Sequence, residues 1–376
     1  MATGTSVAAA VASPPLRAAP ATEPARSAAA SLYAAEIGAA EWAALAERSA
    51  NVFNSAEWLS VWWRHFGAGR ERMTATWRGA DGRASAIAPL YRVARGPLTL
   101  VRFVGHGPSD QLGPICAPED EREVAAALSE YLAEQGGWDV FLGERLPARR
   151  DWTRLLGGSE LLRDATPTLT IEGRSWEDYL TGQSANFRQQ LRRRERKLAR
   201  EHGLRYRLAD DPARLQSDLD ILCRLHAARW EGHGSGALEG RRRAFHREFA
   251  ALALERGWLR LWFLELEGRP LAAWYGLRYA GVDSFYQAGR DPRCERQSVG
   301  LVLLAHTIRD AMDAGSREYR FLRGAETYKS RFTSEDEGLQ TVAVGRGPRG
   351  RLAVAGVRAA RSMPPAGRRM LTQLVG

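Results

Sequence analysis

Apolar positions recur along this chain with two periods, and the order of those periods repeats. Residues 55–66 place Trp58, Leu59, Trp62, Trp63 and Phe66 at helical spacing, and residues 72–78 alternate as a half-buried strand does. A turn at Ala80, Asp81, Gly82 and Arg83 follows, then strands through Ile87, Leu90 and Val93 and over 98–104. Residues 119–135 predict an amphipathic helix with Val124, Leu128, Tyr131 and Leu132 on one side, closed by Gly136 and Gly137. A strand then begins at Trp138.

The second half runs in the same order. A helix over 242–256 precedes a strand over 258–266, the turn Glu267, Gly268, Arg269, Pro270, and a strand over 271–279. Ala280 and Gly281 lead to a strand over 284–289. A helix over 301–314 carries Leu301, Leu304, Ala305, Ile308 and Met312, Gly315 ends it, and a strand over 319–322 returns. Either the unit is duplicated or two α/β segments resemble one another by chance. Hairpin strands, a crossover helix and a returning parallel strand predict an α+β fold, each unit a mixed, mainly antiparallel sheet flanked by helices. The parallel pair formed across such a helix is expected to part and leave a ligand crevice.

Four segments follow from this reading. Residues 1–30 form an Ala/Pro-rich tail with neither a basic nor a long apolar leader pattern, expected to be disordered. Residues 31–170 and 171–343 are the two units, and 344–376 form a basic, loosely packed tail. A basic helix lies at their junction, where Phe187, Leu191 and Leu198 make a thin apolar stripe under Arg188, Arg192, Arg193, Arg196 and Lys197. It reads as a solvated face or as a basic wall that grips phosphate.

Composition narrows the partners. The formal charge is +10, but 52 of the 54 basic residues are arginine, spread along the whole length. That spread argues against nucleic acid, whereas arginine suits bidentate phosphate contacts. No apolar run is long enough to span a membrane, and Cys116, Cys223 and Cys294 form no CxxC pair. A reducing, cytoplasmic setting without a metal site is expected.

The candidate chemistry sits at strand-to-helix junctions. Arg296, Gln297, Ser298, Val299, Gly300 and Leu301 open the second crossover helix. Unpaired amides at a helix N-terminus suit a pyrophosphate, Ser298 is a candidate cap, and Gly300 permits close approach. The equivalent junction in the first half, 115–121, is acidic and would repel phosphate, so only the second unit is expected to bind a phosphorylated ligand. After the last strand, Glu326, Tyr328 and Lys329 offer a base, an acid and an anion clamp. His106 and Asp110 are placed to reach the interface, although an aspartate there also suits a turn. His226 reads as a catalyst or a hydrogen-bonded core residue, and Tyr286 as cleft lining or core. Arg229 and Trp230 beside the glycine-rich 231–236 stretch are further substrate-site candidates.

The order hairpin, strand, Gln297-x-x-Gly300, helix, strand resembles the GNAT acyltransferase superfamily. Val302 departs from the last small residue of that family's loop, putting the helix–cofactor contact in doubt. More narrowly, the chain resembles the CelD-like acetyltransferases associated with cellulose and exopolysaccharide synthesis. The matching residues are Glu57-Trp58-Leu59, Trp62-Trp63, Ala88-Pro89-Leu90, Ser109-Asp110, the basic helix from Asn186-Phe187-Arg188 to Leu198, His226-x-x-Arg229-Trp230, Gly289-x-Asp291-Pro292 and Gly324-x-Glu326-x-Tyr328-Lys329. The resemblance covers about residues 50–343 and implies two tandem GNAT-like units, with acetyl-CoA or another acyl-CoA as donor substrate. It also implies direct transfer to an amine or hydroxyl of a small-molecule, sugar-like or sugar-phosphate acceptor. That group is similar to the Fem-type peptidyltransferases, so aminoacyl transfer from tRNA onto a cell-wall precursor is one alternative. A non-catalytic anion-binding protein with a degenerate GNAT fold is another.

Overall fold

The computed structural model describes residues 37–229 and 236–361. The chain runs through α1 (Ala39–Arg48), α2 (Ala56–Phe66), β1 (Glu71–Arg78), β2 (Ala84–Arg95), β3 (Leu98–Phe103), α3 (Glu121–Glu134), β4 (Val140–Pro147), α4 (Trp152–Leu155) and β5 (Ser159–Asp164). It continues through β6 (Thr168–Thr170), α5 (Trp176–Gly182), α6 (Ala185–His202), β7 (Arg205–Leu208), α7 (Leu215–Arg229) and α8 (Gly240–Glu255). Then come β8 (Leu259–Leu266), β9 (Arg269–Tyr279), β10 (Val282–Arg290), α9 (Val299–Asp313), β11 (Glu318–Arg320), β12 (Leu339–Gly345) and α10 (Gly347–Arg361).

Two six-stranded sheets result, ordered β1-β2-β3-β4-β12-β5 and β6-β11-β10-β9-β8-β7. Each is antiparallel except for one parallel pair across its crossover helix, β3 with β4 and β10 with β11. The fold is therefore α+β, with the two units the repeated order predicts. Tight turns set the second sheet's register. Glu267 and Gly268 (φ 51° and 73°) join β8 to β9, and Ala280 and Gly281 (φ 48° and 74°) join β9 to β10. Paired positive φ values make type I′ hairpins, whose twist matches that of the strands.

The boundaries differ from those the sequence suggests. Thr168–Thr170 of β6 pairs with β11, so it belongs to the second sheet. Conversely, β12 inserts between β4 and β5 of the first sheet. The expected loose tail, as far as residue 361, is the half-buried end of β12 followed by a helix. Val354 of α10 is buried against Leu100, Val140 and Leu142, while the arginines take the outer side. The units thus exchange their terminal segments, and they share one core. Trp58 of α2 meets Phe249 and Phe245 of α8 edge-on, with ring centroids 4.6 and 4.8 Å apart. Burial of such large rings gives about 1.5–3 kcal/mol each, so this contact fixes the first unit against the second.

Helices α7 and α8 both pack on the second sheet, α7 against β9 and β10 and α8 against β8. Among the described residues, no helix is long and apolar enough to cross a membrane. The expectations for residues 1–30, for Trp230 and for 231–235 lie outside the described residues.

Candidate active site

The site begins where a ladder stops. β10 and β11 pair only over 282–284 and 318–320, and a register shift between Phe285 and Gln287 bends β10. A bulge of this kind re-aims side chains and ends pairing. Past it the strands part, and a cleft of about 340 Å³ opens between β10, α9 and the chain that follows β11.

The N-terminus of α9 forms one end of this cleft, with Ser298, Val299, Gly300 and Leu301 in its wall. The amides of Val299 and Gly300 have no hydrogen-bond partner among the described residues, whereas Ser298 N–H donates to Glu295 O and Leu301 N–H to Ser298 O. Two of the four expected amides are therefore open. Ser298 is not a side-chain cap: its backbone is left-handed (φ 57°, ψ 36°) and its hydroxyl makes no cap bond. A methyl group added at Gly300 would touch only Arg290 Cδ, at 3.5 Å. Nothing in the chain itself requires a glycine there, and the empty side is the cleft. Arg296 and Gln297 do not reach the cleft wall. Arg296 is exposed, and Gln297 Oε1 is buried without a partner. The departure at Val302 has a simple cause: its side chain is buried in the core beneath α9 rather than turned to the cleft.

Four arginines, Arg194, Arg229, Arg290 and Arg331, line the cleft against one glutamate, Glu295, which pairs with Arg290 at 3.2 Å. Arg194 resolves the two readings of the basic helix. Most of α6's cations are solvated or engaged elsewhere: Arg192 pairs with Glu177 at 2.6 Å, and Arg188 donates to the carbonyls of Leu180, Thr181 and Gln183 at the end of α5. Arg194 alone of that helix lines the cleft. Its place was readable, since 194 falls between Leu191 and Leu198 on one helical face. The matching end of the first unit is closed to phosphate. Glu121, buried at the start of α3, pairs with Arg149 and lies 3.6 Å from Arg150, so a carboxylate already occupies that helix end.

A second cavity of about 240 Å³ adjoins the first, and Arg229, Phe285, Ala288 and Tyr328 line both. It lies between the units, with Pro108 and Asp110 from the first and Tyr286, Arg323 and Glu326 from the second. Asp110 sits 3.8 Å from Arg323. Burial raises its pKa, opposed by the charges of Arg145 and Arg323. Tyr286 is both lining and core: it faces the cavity, is almost wholly buried, and donates its hydroxyl to Pro108 O at 2.7 Å.

The Glu326, Tyr328, Lys329 group is brought together in this cavity. Tyr328 accepts a hydrogen bond from Arg229, and burial, with the Glu326 charge, pushes its pKa above the ordinary tyrosine value. It therefore stays protonated at neutral pH and can give a proton. Glu326 lies 2.8 Å from Lys329 Nζ. Lys329, the expected anion clamp, is engaged by the chain itself. Its buried ammonium also donates toward the carbonyls of Leu322, Arg323 and Gly324, four acceptors with Glu326 sharing three protons, and this pins the loop.

Two histidines fall short of the cavities. His226 lines neither; it is buried, its Nε2 lies 3.2 Å from Gln287 Oε1, and burial lowers its pKa. It holds the bulged strand from behind. His106 contacts Arg102 at 2.6 Å, and only its neighbours Gly107 and Pro108 reach the cavity. Cys116, Cys223 and Cys294 line neither cavity, and burial raises the pKa of each thiol, which makes each a poor nucleophile. Among the described residues, no group of three or more His, Cys, Asp or Glu side chains is arranged to hold a metal ion.

This geometry agrees with a family match over the same segment. Residues 185–330 match the model of an acetyltransferase (GNAT) domain. No curated protein gives a significant sequence match. Among solved structures, FemX is similar at 11% identity with a TM-score of 0.61, over 84% of this chain and 97% of that one. The C-terminal domain of a putative lysylphosphatidylglycerol synthetase from Agrobacterium fabrum is similar at 13% identity and a TM-score of 0.52, over 84% and 94%. A conserved protein of unknown function from Bacteroides thetaiotaomicron is similar at 15% and 0.51, over 83% and 98%. At these identities the likeness is one of fold alone: two mixed, mainly antiparallel sheets flanked by helices.

Proposed function

We propose that this chain is an acyltransferase moving an acyl group, acetyl in the first instance, from acyl-coenzyme A directly to an amine or hydroxyl of a small acceptor. The observation that carries the reading is the junction of the two cavities. A cleft with open helix-terminal amides and four arginines meets a polar cavity at Arg229, Phe285, Ala288 and Tyr328. A diphosphate at the α9 end would be met by the Val299 and Gly300 amides with Arg194, Arg290 and Arg331 around it. The thioester would then reach toward Tyr328.

In the transfer, the acceptor atom bonds to the acyl carbon as the carbon–sulfur bond breaks. Glu326 takes the acceptor's proton and Tyr328 gives one to the departing thiolate. Proximity provides most of the acceleration, with the proton transfers adding roughly 10²–10⁴-fold. Lys329 fixes the loop that presents both groups. An acceptor carried on a sugar, as the CelD-like resemblance implies, is the finer reading. Isothermal titration tests the donor: acetyl-CoA is expected to bind, and Gly300→Asp to abolish binding by placing a carboxylate among the amides. Binding indifferent to that change would sink the reading. Acyl transfer from an aminoacyl-tRNA, with no response to acetyl-CoA, would favour Fem-type chemistry instead.

A further inference from the structure

The acceptor cavity holds more positive charge than its carboxylates neutralise. Arg229, Arg242, Arg323 and Lys329 line it together with only Asp110 and Glu326. Each carboxylate already has a cation, Arg323 at 3.8 Å and Lys329 at 2.8 Å. Arg229 is hydrogen-bonded to Tyr328. Arg242 makes no ion pair or side-chain hydrogen bond with any described residue.

Arg242 is solvent-exposed and adds to this surplus by its position. It lies in the first turn of α8, between Arg241 and Arg243, with no acidic residue in that turn and no capping bond from Glu239. The positive end of a helix disfavours cations. Asp220 offsets Arg243 at 2.5 Å. Arg242 has no such counter-ion among the described residues, and its side chain borders the cavity.

We propose that the acceptor carries an anionic group, a phosphate or a carboxylate, held by Arg242 with Arg323, beside the amine or hydroxyl that is acylated. This rests on the second cavity being the acceptor site. The acceptor would then be an anionic amine or alcohol, and its neutral counterpart a poor substrate.

The test is isothermal titration of the full chain with inorganic phosphate and, separately, with succinate, at constant ionic strength. Wild type, Arg242→Ala, Arg323→Ala and Gly300→Asp proteins are compared, with circular dichroism to verify folding. At least one of the two anions should bind wild type and lose affinity about tenfold or more in Arg242→Ala, and less steeply in Arg323→Ala. Gly300→Asp should keep that Arg242-dependent site, since its change lies in the other cleft. A response with phosphate alone marks a phosphorylated acceptor, and with succinate alone a carboxylate. Anions that bind Arg242→Ala as tightly as wild type, or bind wild type not at all, overturn the proposal. Acetyl-CoA titration is read separately: its failure with the Arg242 effect intact removes the acyl-CoA reading and leaves the anion site standing.

Discussion

Tyr286 on β10 donates its hydroxyl to the carbonyl of Pro108 at 2.7 Å, and both residues line the second cavity, the proposed acceptor site. One hydrogen bond thus joins the second unit's bulged strand to the first unit's loop at the site itself. Removing the hydroxyl leaves a buried carbonyl without that partner, which costs about 1–3 kcal/mol. Tyr286→Phe should lower the unfolding midpoint and raise the acceptor KM, while acetyl-CoA affinity, set in the other cleft, stays within about twofold. Equal losses of acceptor and acetyl-CoA affinity would mean that the two cavities are not separable.

Two glycines near the cleft should respond in opposite ways to alanine. At Gly289 an added Cβ would lie 2.3 Å from the backbone nitrogen of His226, because β10 and α7 touch backbone to backbone. Gly289→Ala should destabilise by roughly 1–3 kcal/mol or more, as overpacking does. Gly300 is helical with open space where its Cβ would stand. Gly300→Ala should stabilise by about 0.5–1 kcal/mol yet weaken acetyl-CoA binding about tenfold. Thermal unfolding paired with titration separates the two, and unchanged acetyl-CoA affinity in Gly300→Ala would show that the ligand does not approach there.

The repeated order of periods made the two sheets legible, because helix and strand patterning is local. Residues 56–66, 121–134 and 299–313 are helices within two residues of where apolar spacing puts them. What stayed hidden was long-range. Nothing local tells Leu339–Gly345 to pair with β4 rather than with its own unit, since its strand pattern suits either sheet. The site divides the same way. Gly300, Tyr328 and Asp110 were visible as motif residues, and all three face the cavities. Arg242, Arg290 and Arg331 look like any other arginine in a chain with 52 of them. The pinning of the loop by Lys329 is not legible, because three of its partners are backbone carbonyls, which leave no trace in a sequence.

Buried neutral histidines should make the fold acid-sensitive. Burial lowers the pKa of His246 to about 3 and that of His106 to about 2, with neighbouring arginines adding to the shift. The unfolded chain, with its histidines near 6.5, binds those protons first, so stability is full above that value and falls as pH drops below it. By pH 5 each should have cost about 2 kcal/mol. Urea unfolding at pH 7 and pH 5 should show the combined loss, to which buried His306 and His226 also contribute, and His246→Phe should remove only its own share of about 2 kcal/mol. A pH-independent midpoint would mean these rings are charged or exposed.

Tyr328 offers the most direct reading of the chemistry. Its phenol is kept protonated by burial and by Glu326, and it is oriented by the hydrogen bond from Arg229. Replacing it with phenylalanine keeps the ring against Phe285, whose centroid lies 6.3 Å away, so folding and acetyl-CoA binding should change little. Turnover should fall by about 10²–10⁴-fold, the range for a lost general acid, with the effect in kcat rather than KM. In wild type the alkaline limb of the rate profile should not begin below about pH 10, because a raised tyrosine pKa delays loss of the proton. If release of the thiol continued in Tyr328→Phe at the wild-type rate, the leaving thiolate would have to take its proton from solvent.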